Sequence, residues 1–198
     1  MKLILSIIIL FLNVTVHAQS AGNIIRSVQH KFETVNNFSA QIRQSKLDGD
    51  FYSGKFFYAK GNKYRIEFKN FTIVSDGESV WNYNKKINRV VITNLNDNPD
   101  AFSFEKFIFD FPSKCKTGLI GTNGKNHLLK FIPVNEDLGF EWAEVNVTPD
   151  SLIDKITIAD YSGKTFKVEL KNIKINRNIP GDTFKFTVKN GVKIVDLR

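Results

Sequence analysis

The chain has 198 residues, of which 42% are apolar and 24% are charged, and it contains a single cysteine. This composition excludes a disordered or collagen-like chain, and one cysteine, Cys115, excludes an internal disulfide and a zinc site built on cysteine clusters. The net charge of +8 permits an anionic partner, but no block of like charge stands out, so we interpret the lysines as a solvated surface. The 18 phenylalanines are enough to line an apolar pocket in addition to a core.

The first eighteen residues have the pattern of a secretory signal peptide. One charge at Lys2 precedes an apolar run over residues 3–16, and small residues precede the predicted cleavage point after Ala18. The run is shorter than a membrane-spanning helix requires. We therefore expect residues 1–18 to be removed and residues 19–198 to form one exported domain.

The mature chain begins with a predicted helix and continues with short strands. Over residues 20–35, the apolar side chains fall on one stripe at helical spacing, which includes Val28 and Phe32. From Phe38 the apolar period becomes two, with Asp76-Gly77 as a turn. This pattern predicts six strands, near residues 38–43, 50–59, 63–68, 71–75, 79–84 and 89–93.

Residues 97–111 interrupt the strands and predict a second helix. Asp97 can cap it, Pro99 suits its first turn, and Pro112 ends it. Its side chains are apolar nearly all round, so it is expected to be buried or to cover an apolar site.

The second half returns to strands and completes a mainly β fold of the α+β class. Strands are predicted near residues 114–120, 126–133, 140–147, 152–160, 164–175 and 184–195. We expect a curled antiparallel sheet of about eleven strands, with two or three helices plugging its concave face.

No catalytic or nucleic-acid motif is evident. His30 and His127 are isolated in sequence, and phosphate loops and hydrolase or metalloprotease signatures are absent. Basic and aromatic residues alternate over 160–198. We interpret this pattern as half-buried strands whose basic side chains face solvent, although nucleic-acid-binding surfaces share it. We expect no enzyme activity, metal, cofactor or nucleic-acid partner, and a hydrolase with separated carboxylates remains an alternative.

Several motifs resemble the LolA family of outer-membrane lipoprotein carriers. The most specific is the hairpin Ile73–Tyr83, with its Ser-Asp-Gly turn followed by Trp-Asn-Tyr. The strand pair from Gly54 to Phe68, the late hairpin at Asp160–Gly163 and the motif Phe184–Phe186 are also similar. Two departures are Lys60-Gly61, where the family has Arg-Pro, and the absence of a proline in the last strand.

The resemblance implies an unclosed half-barrel with a helical lid, acting as a periplasmic carrier. Such carriers receive acylated lipoproteins from an inner-membrane ABC transporter and deliver them to the outer membrane, in some cases through a receptor there. We expect a monomer in the periplasm, with Lys60 as the latch of the lid. The expected acyl-binding residues of cavity and lid are Val28, Phe32, Phe57, Tyr64, Ile66, Phe68, Trp81, Tyr83, Phe104, Phe107 and Ile108.

Two readings remain open beside the carrier. The apolar residues alone favour a plain packed core over a pocket. On the same scaffold, an exported regulator that senses a lipid or a lipoprotein would need the same apolar site.

Overall fold

The computed structural model describes residues 15–45, 50–95 and 103–198. The predicted signal peptide lies largely outside these residues, as do Asp97 and Pro99 of the second predicted helix. Among the described residues, no helix is long and apolar enough to span a bilayer.

Within the described ranges, one sheet of twelve strands forms the body of the protein, which confirms the expected curled, unclosed half-barrel. Its order is β12-β6-β5-β4-β3-β2-β1-β11-β10-β9-β8-β7. The strands are β1 (Asn37–Ser45), β2 (Phe51–Ala59), β3 (Lys63–Phe68), β4 (Phe71–Asp76), β5 (Ser79–Asn84), β6 (Arg89–Asn94), β7 (Cys115–Asn123), β8 (Asn126–Pro133), β9 (Trp142–Val147), β10 (Ile153–Ala159), β11 (Thr165–Ile175) and β12 (Lys193–Asp196).

Strand β1 lies at the centre of this sheet and joins its two halves. It pairs antiparallel with β2 on one side and with β11 on the other, where Phe38 lies opposite Ile175. The other strands pair with their neighbours in sequence, except β12. This last strand runs parallel to β6 and forms one edge of the sheet.

The predicted final strand over residues 184–195 is wrong in extent and direction. A 3₁₀ turn, Gly181–Phe184, is followed by an irregular segment, and only Lys193–Asp196 pairs with the sheet. We call residues 177–192 the C-terminal strap. Its 3₁₀ turn packs on the outer face of β3 and β4, and its Phe186 ring lies against Trp81 and Tyr83 of β5 instead of entering a ladder.

The helix α1 spans Thr15–Glu33 and packs on the concave face. It ends two residues before the predicted limit because the amides of Thr34 and Val35 bond to carbonyls three residues back, which tightens the last turn. Val28 and Phe32 are buried, as the apolar stripe predicted.

The second predicted helix is not one α-helix that Pro112 ends. Its described part, which we call the 103–114 segment, contains a π-helical turn at Lys106–Asp110 and a 3₁₀ helix at Phe111–Lys114. Pro112 lies in the first turn of that 3₁₀ helix, where its missing N–H is tolerated.

At two glycines of the N-terminal half, a neighbouring backbone lies too close to leave room for a side chain. A side chain at Gly54 in β2 would place Cβ 2.0 Å from the carbonyl oxygen of Glu67 in β3. Gly77 has φ of +100°, and a Cβ there would lie 2.5 Å from the carbonyl oxygen of Gly61. The predicted Asp76-Gly77 turn is confirmed, and the Asp76 carboxylate accepts bonds from the amides of Glu78 and Ser79.

The outer face of β4 to β6 is apolar and has a cover of its own. Val74, Val90 and Ile92 are buried on the outer face, apart from the main core. Phe184 of the strap is buried as well, and its 3₁₀ turn packs on β3 and β4. The sheet therefore carries a second, smaller apolar layer on its outer side.

Candidate functional site

An apolar cavity lies between α1, the 103–114 segment and the concave face of β7 to β10. Its volume is about 30 Å³. Every lining residue is apolar: Ile25, Val28, Phe107, Ile108, Phe111, Pro112, Cys115, Leu129, Phe131, Phe140, Ala143, Val145, Val147 and Ile153. The space is thus small, and its lining offers no polar group to an occupant.

A second cavity of about 40 Å³ lies on the other side of Val28 and Ile108. It extends toward the centre of the sheet, where Phe38 and Leu170 line it, and Lys31 and Ser151 stand among its lining residues. Both cavities share Val28, Ile108 and Ile153. The two spaces therefore follow one apolar seam, which the side chains of α1 and the 103–114 segment fill.

Phe104 anchors the 103–114 segment in a cluster of aromatic rings. Its ring centroid lies 5.5 Å from those of Phe38, Phe56 and Tyr58, and 6.1 Å from that of Phe32. These distances suit favourable ring contacts. The segment is thus held by contacts of the same apolar kind that an acyl chain would make.

Glu105 fastens the same segment to the hairpin of β2 and β3. Its Oε1 accepts hydrogen bonds from the Tyr58 hydroxyl at 3.2 Å and from the Gly61 amide at 3.1 Å, and its Oε2 accepts one from the Asn62 side-chain amide at 3.4 Å. Burial, with the adjacent Glu105 carboxylate, raises the pKa of Tyr58 far above its usual value. The phenol therefore stays protonated and remains a donor.

Two further bonds complete this attachment. The Ser103 hydroxyl donates to Asn62 Oδ1 at 2.9 Å, which ties the start of the segment to the same hairpin. Gln29 on α1 donates from Nε2 to the Ile108 carbonyl at 3.1 Å. The segment is thus bound both to the sheet and to α1.

The hydrogen bond of the Lys60 side chain goes to α1 and not to the 103–114 segment. Its Nζ donates to the Glu33 carbonyl at 2.7 Å, at the C-terminal end of α1. A cation there also suits the helix dipole. The position expected for the latch therefore holds α1, whereas Glu105, which sequence reasoning missed, holds the segment.

The structure brings together five of the predicted site residues. Val28, Phe32, Phe104, Phe107 and Ile108 all line one or both cavities.

Tyr64, Ile66 and Phe68 of β3 face the same concave side but belong to the core beside these cavities. The cavity wall comes instead from the second half of the sheet, notably Leu129, Phe131 and Val145. The apolar alternation of 126–133 and 140–147 was the signal that could have pointed to it.

Phe57, Trp81 and Tyr83 lie on the outer face, so the structure separates them from the cavity. Trp81 is opposite Val74, and Phe57 is opposite Arg65, both on the convex side. The rings of Trp81 and Tyr83 lie 6.4 and 5.6 Å from that of Phe186 in the strap.

The described residues contain no cluster of three or more His, Cys, Asp or Glu that could hold a metal ion. His30 is exposed and lies 3.4 Å from the Glu33 carboxylate. His127 is more enclosed than its predicted turn position suggested, since its Nδ1 is buried without a hydrogen-bond partner among the described residues. Cys115 lines the first cavity, and burial raises the pKa of its thiol.

These features define a class of protein: an open half-barrel whose concave face encloses an apolar interior beneath helical segments. The chain belongs to the LolA family, because the family model described as outer membrane lipoprotein carrier protein LolA matches residues 33–187. The resemblance noted from the motifs is thereby confirmed.

Relatives agree with this assignment, and a solved structure shares the fold. The chain is 28% identical over 153 residues to the outer-membrane lipoprotein carrier protein of Bordetella avium, covering 73% of this chain and 67% of that protein. It is 23% identical over 187 residues to the protein of the same name from Haemophilus ducreyi, covering 91% and 86%. Its fold is similar to that of an uncharacterized conserved protein from Thermus thermophilus, with a TM-score of 0.63, 16% identity, and coverage of 90% and 99%.

Proposed function

We propose that the protein is a periplasmic carrier that shelters the acyl chains of lipoproteins and moves them from the inner to the outer membrane. The observation that carries the proposal is the wholly apolar cavity beneath a segment attached by a few polar bonds. Membership of the lipoprotein carrier family supports it.

The cavity must open to accept a ligand, because its present volume of about 30 Å³ is far smaller than an acyl chain. Burying a dozen methylenes gains on the order of 10 kcal/mol. Displacing the 103–114 segment exposes Phe104, Phe107 and Ile108 and breaks the bonds to Glu105, which offsets part of that gain. A carrier needs this balance, since it must release its client as well as bind it.

The remaining parts of the proposal follow from the same role. The signal peptide of residues 1–18 would direct residues 19–198 to the periplasm as a monomer. The client would come from an inner-membrane ABC transporter and pass to the outer membrane, or to a receptor there. Lys60 would limit the movement of α1 as the 103–114 segment opens.

Co-purification tests the proposal directly. The protein is purified from periplasm, extracted with organic solvent, and the extract is examined for acylated lipoprotein by mass spectrometry. Ile108→Glu, which places a carboxylate in both cavities, should lose the acylated species. Val134→Glu changes an exposed apolar residue and should keep them. Absence of acylated lipoprotein from the wild-type protein would contradict the proposal.

Depletion separates the carrier from its alternatives. If the protein is the carrier, depletion should leave lipoproteins in the inner membrane. A change in transcription with normal lipoprotein sorting would instead indicate the sensing regulator, and accumulation of an uncleaved lipid or glycan would indicate the hydrolase.

A further inference from the structure

A cleft of about 400 Å³ lies on the outer face of the sheet, between β3 to β5 and the C-terminal strap. The strap is fixed at one end by Phe186, whose ring packs on Tyr83. At the other end the Asn88 side chain donates to the Gly191 carbonyl at 2.8 Å. The cleft is therefore built from two distant parts of the chain, on the side of the sheet opposite to the acyl cavity.

Positive charge dominates the lining of this cleft. Arg65, Lys85, Lys185 and Lys189 line it, with Glu67 as the one carboxylate among its lining residues. Glu67 is paired with Arg65. None of the three lysines forms an ion pair among the described residues, so their charges remain available to an anion.

The charged groups are held in place from both walls. Lys85 donates one hydrogen bond from Nζ to the Phe68 carbonyl at 2.8 Å, which positions the ammonium group and leaves it two further donors. Arg65 donates from Nη1 to the carbonyls of Thr183 and Lys185, both at 3.4 Å, and so holds the strap beside the cleft.

A threonine hydroxyl stands among these cations. Thr72 of β4 lies opposite Tyr83 on the outer face, lines the cleft and is only 3% exposed. Its hydroxyl makes no hydrogen bond with the part of the chain that the structure describes. This hydroxyl is therefore free to donate to an anion in the cleft.

We propose that this cleft binds a phosphate group. Lysine ammonium groups bind phosphate as point charges, and hydroxyls donate to its remaining oxygens. The group could belong to a soluble phosphate or to the headgroup of a phospholipid, and both present the same oxygens. This site does not depend on the acyl cavity.

Calorimetric titration with inorganic phosphate at low salt, and co-sedimentation with vesicles, distinguish the two sources. The vesicles contain phosphatidylcholine alone or with phosphatidylglycerol. The double variant Lys185→Gln/Lys189→Gln should bind about tenfold more weakly than the wild type. The matched control Lys116→Gln/Lys125→Gln removes two charges from the β7–β8 hairpin and should bind as the wild type does.

Thr72→Val tests the site without changing its charge, and we expect binding about fivefold weaker. Binding to phosphate supports a soluble ligand, whereas binding only to phosphatidylglycerol vesicles supports a headgroup, provided that the cleft variants weaken it. Two results would overturn the proposal: no binding to either probe, or an equal loss in both lysine double variants.

Discussion

Removal of the Glu105 carboxylate should release the 103–114 segment and make the cavity easier to load. In Glu105→Ala, the segment loses the bonds from the Tyr58 hydroxyl, the Gly61 amide and the Asn62 side chain. All three are made only while the segment covers the concave face. The substitution therefore destabilises the closed state and leaves the open state unchanged.

The size of the effect follows from these bonds. Three bonds of about 1 kcal/mol each, the Asn62 bond being the longest, give about 2 to 3 kcal/mol. The open population then rises about 30- to 140-fold, since 1.4 kcal/mol is a factor of ten. While the open state is a minority, the apparent Kd for an acyl ligand falls by the same factor. Titration with a fluorescent fatty acid measures it.

Asp110→Ala provides the control on the same segment. Asp110 is exposed, and its carboxylate makes no hydrogen bond or ion pair within the described residues. The affinity of this variant should match that of the wild type. Equal affinity of Glu105→Ala and the wild type, or an equal gain in both variants, would refute the role given to Glu105.

Three further outcomes test the structure. Phe104→Glu places a carboxylate among aromatic rings and should abolish lipoprotein delivery while circular dichroism and export stay normal; normal delivery would remove Phe104 from the site. Gly54→Ala should lower the free energy of unfolding by about 2 to 4 kcal/mol in urea, because its Cβ meets the β3 backbone, whereas Gly118→Ala, with open space around it, should change it by less than about 0.5 kcal/mol. An unchanged midpoint for Gly54→Ala would contradict the close approach. Burial raises the pKa of Tyr64 from 10.0 to about 12, so the folded state favours the neutral phenol. This preference contributes fully to the free energy of unfolding below pH 10, and about 2 to 3 kcal/mol of that contribution is lost as the pH rises from 10 to 12. In Tyr64→Phe the free energy of unfolding should fall less between pH 10 and 12. A pH profile identical to that of the wild type would contradict the raised pKa of Tyr64.

The strands and turns could be predicted because their signals are local. The alternation of Tyr64, Ile66 and Phe68 sets β3, and Asp76-Gly77 sets the turn between β4 and β5. The local sequence does not determine which face of the sheet the apolar residues of a strand will occupy. Trp81 and Tyr83 alternate just as the β3 residues do, yet they face the strap, because the apolar side of β5 is its outer side.

The attachment of the 103–114 segment shows a similar limit. The motif resemblance directed attention to Lys60, and the amide that bonds Glu105 belongs to the next residue, Gly61. Lys60 itself bonds to α1, so neighbouring residues of this turn contact both helical segments. The sequence does not mark this glutamate as a hydrogen-bond acceptor, because its donors at Tyr58 and Asn62 come beside it only in the folded protein.

The central position of β1 imposes an order on biogenesis. Its flanking residue Asn36 bonds to Asn176, 140 residues further along the chain, so β1 lacks one neighbour until β11 has been synthesised. During that time two unpaired borders, at β1 and β6, are open to association with other chains. Pairing at such long sequence separation is slow, so β1 and β6 are expected to be the last strands of the sheet to gain both neighbours.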